Sequence, residues 1–228
     1  MEEFRAYAAA VEGRMRQGAP FLFLADDEAV RAKLREGPAV AVTAKSLGLG
    51  SDLPTEGGQV QHWVGAVFVP RGTLNRARPA LLDYANRTRY MAPEIRESSV
   101  LSRRGDELQV HLRLAENSMI PGIFDVRLNI RYRDVDRRRL AIDSRSEDVL
   151  DVTAAAPKDR GLLWGLNHYW RIEESGDGLY LECEALVLSR RTPVALGWLA
   201  DPLISQAARK TLINTLLATR RMLETTVS

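Results

Sequence analysis

Cysteine is nearly missing from this chain: Cys183 is the only one in 228 residues. A lone cysteine excludes an internal disulfide and any multi-cysteine metal site. Histidine is almost as scarce. His62, His111 and His168 lie far apart without HExxH-type spacing, so no metal centre is expected. No apolar run approaches the roughly 20 residues that span a bilayer. Neither sign of charge dominates: 32 Lys and Arg face 30 Asp and Glu, a formal net charge of +2. That balance gives no electrostatic reason to expect a nucleic-acid partner. GxSxG, P-loop and GxGxxG motifs are absent too, so no catalytic residue and no cofactor is indicated.

What is present is ordinary globular material, 45% apolar and 27% charged, enough to bury a real core. The N-terminus, MEEFRAYAAAVEGRMRQG, starts acidic and carries charge throughout, unlike a signal peptide. Phe4, Tyr7, Ala8, Val11 and Met15 recur at helical spacing. Asp26-Asp27 precede a second helix through Arg35, and Val40–Val42 has strand character. Residues 46–58 are rich in Gly, Ser and Pro and read as a linker. Residues 1–58 are therefore expected to be an extension, docked on the main domain or lid-like, and 59–228 the domain itself.

The domain opens with the strand VQHWVGAVFVP, followed by helical signals in RGTLNRARPALLDYANRTRYMAPEI, with Pro79 suited to a first helical turn. The period then changes to two. Leu108, Val110, Leu112 and Leu114 alternate with polar residues, as do Phe124, Val126, Leu128, Ile130 and Tyr132, then Leu166, His168, Trp170 and Ile172. This is the pattern of antiparallel strands with one buried and one wet face. Gly176-Asp177-Gly178 signals a tight hairpin. The chain closes with a helical segment from Trp198 to Glu224, with Asp201 as candidate cap and Pro202 in the first turn. Leu212, Leu216, Thr219 and Leu223 form its apolar stripe.

Strand-helix-helix at HWVGAVFVP…DYANRTRYMAPEI, the hairpin WRIEESGDGLYLECEALVLSR and the terminal GWLADPLISQAARKTLINTLLATRRMLE resemble the START-like, or SRPBCC, superfamily over roughly 59–225. That superfamily includes the birch-pollen-allergen type, polyketide cyclases and dehydratases, and coenzyme-Q-binding proteins. The chain is similar to an uncharacterised bacterial branch with the same kind of extension. The resemblance implies an α+β helix-grip fold, in which an antiparallel seven-stranded sheet curls around the C-terminal helix, with two short helices after the first strand. It also implies an internal cavity for a hydrophobic small molecule, and fold alone names no reaction.

A twisted sheet wrapped on one helix leaves its cavity between them. The candidate ligand-binding residues are accordingly His168, Trp170, Trp164, Tyr132, Tyr90, Met91, Leu216 and Thr219. His168, on the apolar face, reads either as a ligand anchor or acid/base group or as a buried histidine satisfied by a backbone carbonyl. The opposite faces carry His111, Arg113, Arg127, Arg131, Tyr169, Arg171, Glu182 and Glu184, which read either as a holder of an anionic substrate or, the favoured reading, as a solvated sheet face with cross-strand ion pairs. Arg131, Arg133, Arg137, Arg138 and Arg139 read as a solvated hairpin tip, and Cys183 as structural. The readings that stand are a carrier of a lipid, isoprenoid or polyketide-like compound, with transient membrane contact for exchange, a cyclase/dehydratase-type enzyme, and a protein-interaction module.

Overall fold

The period-two segments form a meander of long antiparallel strands. The computed structural model describes residues 1–17, 20–50, 54–55, 57–116, 122–153, 161–190 and 194–227, with the backbone alone for 54–55, 116, 194–203 and 227. Its strands are β1 (Val40–Thr43), β2 (Pro54–Thr55), β3 (Gly58–Pro70), β4 (Ile95–Arg104), β5 (Glu107–Glu116), β6 (Gly122–Asp136), β7 (Arg139–Asp151), β8 (Leu163–Ser175) and β9 (Gly178–Arg190). They form one sheet in the order β1-β3-β9-β8-β7-β6-β5-β4, with β2 also on β3. Short turns at Gly105-Asp106, Arg137-Arg138 and Gly176-Asp177 join consecutive strands, which forces antiparallel pairing. The α-helices among the described residues are α1 (Glu2–Arg16), α2 (Glu28–Arg35), α3 (Leu74–Leu81), α4 (Arg87–Met91) and α5 (Val194–Val227). None among the described residues is long and apolar enough to cross a membrane.

The sheet has nine strands among the described residues, not the seven expected. The extension adds β1 and β2, because β3 would otherwise offer an unpaired edge along its whole length. Two helix starts also differ from expectation. Helix α5 begins at Val194, so Pro202 lies well inside it and Asp201 is not its cap. Pro79 likewise sits near the end of α3 rather than in its first turn. A proline inside a helix removes one N–H donor and crowds the preceding turn, a cost of about 3 kcal/mol that tertiary packing can outweigh. The side chains of Trp198, Asp201 and Pro202, and all of Pro193, lie outside the described residues.

One face of the sheet, the inner face, packs against α3, α4 and α5. Its core joins Val67, Val69, Leu179, Leu181 and Cys183 to Val110, Val126, Ile130 and Ile142, capped by Leu212, Leu216, Met222 and Leu223 of α5. The closest approach is at Gly65, where an added Cβ would stand 2.8 Å from Leu216 and 3.0 Å from Leu212. Glycine there lets the helix seat directly on β3. Cys183 is buried in this core, and burial pushes its thiol well above the usual range, as suits a structural side chain.

The outer face is not the uniformly wet surface expected. Over β4–β6, Arg127 and Arg131 are exposed, and Arg113 bonds Asp125 at 2.8 and 3.0 Å in a cross-strand pair. Over β3, β9 and β8 the extension covers it. Phe4, Ala8 and Val11 of α1 pack on Tyr169, Leu186 and Leu188, and Leu22, Leu24, Ala25 and Leu34 pack on Val64, Ala66, Phe68 and Tyr180. Gly165 makes room for Phe4, whose ring would lie 2.9 Å from an added Cβ. Arg171, Glu182 and Glu184 are buried beneath this layer.

Those buried charges hold the extension in place. The Glu182 carboxylate accepts the backbone N–H groups of Phe23, Leu24 and Ala25 at 2.9, 2.8 and 3.1 Å. Burial raises its pKa, offset only in part by Arg171 and those three donors. Glu184 accepts from Arg171 at 2.6 Å and from Arg14 of α1, and its Oε1 lies 2.6 Å from His62 Nε2. Burial pushes the Glu184 carboxyl up, yet the His62 contact and the neighbouring arginines outweigh it, so its pKa lies below the ordinary value. The Tyr7 hydroxyl reaches His62 Nδ1 at 2.8 Å, and Phe23 lies between Arg14 and Arg171, each guanidinium 4.6 Å from the ring centre.

Candidate ligand-binding face

Strand register assigns the inner-face neighbours. Ser144 of β7 stands opposite His168 of β8, His168 opposite Ala185 of β9, and Ala185 opposite Trp63 of β3. The next row toward the α5 midpoint runs Ile142, Trp170, Cys183 and Gly65. Where α5 presses on Gly65 the face is tightly filled, yet Leu166, His168, Trp170 and Val187 remain half-buried. Ala185 stands between His168 and Trp63 in this row. Beyond this row β7 and β8 part: their pairing ends at Arg145 and Asn167, and Ser146 Oγ accepts the Leu166 N–H at 2.9 Å.

The polar groups in this row are short of partners. His168 and Ser144 make no side-chain hydrogen bond among the described residues. The expected alternative, a histidine satisfied by a backbone carbonyl, is therefore not what the fold contains. Dense protein around the ring desolvates it and lowers its pKa to about 4, so the imidazole is neutral at physiological pH. Trp63 Nε1 and Ser189 Oγ are also buried without partners on the same face. Among the described residues such unpartnered buried atoms occur on both sides of the sheet: Gln59 Nε2, Trp63 Nε1 and Ser189 Oγ on this face, and Arg14 Nη1, Arg171 Nε and the Tyr180 hydroxyl on the other.

The eight expected ligand-binding residues do not gather at one point. His168 and Trp170 share the half-open inner face of β8. Tyr132 faces inward near the β4–β5 turn, where its hydroxyl donates to the Gly105 carbonyl at 3.1 Å, and Tyr90 and Met91 pack on the core from α4. Leu216 is wholly buried against Gly65, and the Thr219 hydroxyl donates to the Thr215 carbonyl at 2.8 Å within α5. Trp164 is a correction. It lies on the outer face, packed with the α1 cluster, its indole N–H donating to the Gly161 carbonyl at 3.1 Å. A bulge between Leu163 and Gly165 inserts one residue into β8 and reverses the parity that alternation alone assigns. Ser144, Trp63 and Ser189 were missed because Ser144 and Ser189 sit in strands with weak alternation and Trp63 in a nearly continuous apolar run. Pairing register is what joins them to His168.

No family model and no curated protein matches the chain. Solved structures do match it. A STAR-related lipid transfer protein from Xanthomonas axonopodis superposes with a TM-score of 0.53 at 14% identity, covering 76% of this chain and 95% of that one. A Streptomyces aromatase/cyclase gives a TM-score of 0.56 at 14% identity over 75% and 97%. A START superfamily protein from Mycobacterium smegmatis gives 0.52 at 15% identity over 72% and 97%. The fold is START-like. A START-like fold is an antiparallel sheet gripping its C-terminal helix, and here the half-buried row around His168 lies on the gripping face.

Proposed function

We propose that the chain binds a hydrophobic small molecule of lipid, isoprenoid or polyketide type on the inner face of its sheet. The observation that carries this reading is the inner-face row Ser144–His168–Ala185–Trp63, where half-buried His168 lies beside half-buried Leu166, Trp170 and Val187 and neither its ring nor the Trp63 indole N–H has a hydrogen-bond partner among the described residues. Apolar walls supply affinity, while a neutral imidazole and a hydroxyl orient one polar group of the ligand. Lipid-transfer and aromatase/cyclase neighbours are consistent with such a ligand.

A cyclase/dehydratase-type reaction on the same face is the second reading, supported by the unpaired imidazole opposite an unpaired hydroxyl. The His168 pKa of about 4 favours binding over catalysis, because a general base works best with a pKa near the working pH. The test is titration with N-phenyl-1-naphthylamine, a neutral apolar dye, followed by isothermal calorimetry on bound lipids or polyketides. Saturable one-to-one binding at micromolar concentration with a negative heat-capacity change is expected. Absence of saturable binding across a panel of apolar probes would sink the proposal. For an identified ligand, His168→Gln should weaken binding by no more than about tenfold, roughly one hydrogen bond, and the ligand should be recovered unchanged. Turnover that collapses in His168→Gln while binding persists would establish the enzyme reading.

A further inference from the structure

A concavity lies on the side of the sheet opposite α5, where the extension crosses β6, β7 and β8. It is a groove of about 210 Å³, whose lining includes Met15, Arg16 and Phe21 from the extension and Arg133, Asp143 and Arg171 from the strands. Being built jointly by the extension and the sheet, it is separate from the inner-face site and independent of the function proposed there. Its volume falls below the roughly 300–1,000 Å³ typical of drug-sized sites, which selects a smaller molecule.

The lining has one apolar side and an excess of positive charge. Met15, Pro20, Phe21 and Ala141 supply the apolar surface, and Arg139 lies over the Phe21 ring at 5.5 Å. Four arginines, Arg16, Arg133, Arg139 and Arg171, face two acids, Glu12 and Asp143. Glu12 accepts from Arg145 at 2.9 Å and from the Tyr169 hydroxyl at 2.8 Å, and it lies 3.7 Å from Arg16. Among the described residues Asp143 has one cation within 4 Å, Arg145 at 3.9 Å. Behind the walls, Arg14, Arg31 and Arg145 stand with Glu173, Glu182, Glu184 and Asp136, the last 3.9 Å from Arg139, so the surplus narrows to one positive charge. Two features show where it is unspent. Arg133 makes no hydrogen bond or ion pair within 4 Å among the described residues, and Nε of the buried Arg171 has no partner.

We infer that this groove is a binding site for a small phosphate monoester on an apolar or aromatic body. An anion matches the positive surplus, and guanidinium groups pair with phosphate oxygens in geometrically specific forks. Arg133 and Arg16 hold the phosphate from the two sides of the groove, while Phe21, Met15 and Pro20 cover the body. Occupancy therefore joins the extension to the sheet.

Phenyl phosphate is the probe, titrated into the full chain by calorimetry at low salt, with benzoate, inorganic phosphate and benzyl alcohol as comparisons. Phenyl phosphate should bind at least tenfold more tightly than each of the three, and affinity should fall as salt rises. Arg133→Gln, a change at an exposed side chain, should weaken phenyl phosphate at least tenfold while leaving the melting temperature and apolar-dye binding unchanged. Equal binding of benzyl alcohol would overturn the anion assignment, equal binding of benzoate the dianion, and equal binding of inorganic phosphate the apolar body. Unchanged affinity in Arg133→Gln, or no binding of phenyl phosphate, would overturn the site itself. Dye binding in the same samples reports separately on the inner-face proposal.

Discussion

At the scale of single residues, the charged and titratable groups divide by face. On the inner face His168 is neutral and unpaired, with its pKa lowered from 6.5 to about 4 by burial. A base whose folded pKa is depressed leaves the unfolded chain binding the extra proton, so stability falls as pH drops from about 6.5 to 4. The contribution is up to about 3 kcal/mol, and His168→Gln should remove that part of the pH dependence. Urea unfolding at pH 7 and pH 4.5 in both proteins measures it; an identical slope in the variant would show that His168 is not desolvated. On the outer face Glu184 collects Arg14, Arg171 and His62. Glu184→Ala leaves two arginines without their carboxylate in a buried site and should cost about 3–5 kcal/mol in denaturant unfolding. A loss under 1 kcal/mol would show that solvent replaces the carboxylate.

At the scale of elements, two close approaches set the layers. Helix α5 rests on β3 at Gly65, and α1 rests on β8 at Gly165, on opposite faces of the sheet. Gly65→Val should force α5 outward and destabilise by about 1–3 kcal/mol or more, through overpacking against Leu212 and Leu216. Leu216→Ala, which opens a cavity instead, should cost about 2–5 kcal/mol. The extension belongs to the same structure. Deleting residues 1–37 would uncover Phe68, Tyr180, Tyr169, Leu186 and Leu188 and strand Glu182 without its three backbone donors. The truncated chain should melt at least about 10 °C lower or aggregate. Melting within 2 °C of the full chain would instead mark the extension as an accessory layer.

At the scale of the whole molecule, the chain is a three-layer assembly, with helices α3–α5 on one face of the sheet and the extension on part of the other. A ligand held between the sheet and α5 binds only the folded state, so the apolar dye at about 100 times its Kd should add about 2.7 kcal/mol of stability. The matching rise in melting temperature is roughly 5–10 °C, and no rise at saturation would place the dye outside the folded core.

Sequence by itself determined the elements and the inner face of most strands. Alternation at Leu108–Leu114 and Phe124–Tyr132, the glycine hairpin at 176–178 and the apolar stripe of α5 all follow from local periodicity and turn chemistry. The placement of His168 and Trp170 on that face was legible for the same reason. Tertiary structure alone decided the rest. The bulge at Leu163–Gly165 turned Trp164 outward, a one-residue shift with no marker in composition. Arg171, Glu182 and Glu184 alternate in sequence as a wet face would, because periodicity reports polarity and not what arrives from elsewhere in the chain. Their burial depends on partners more than 150 residues away, Arg14, Phe23, Leu24 and Ala25, which pair the Glu182 and Glu184 carboxylates and cover the strands that carry them. The outer groove has the same origin: its two sides are far apart in sequence and meet only when the extension closes over the strands.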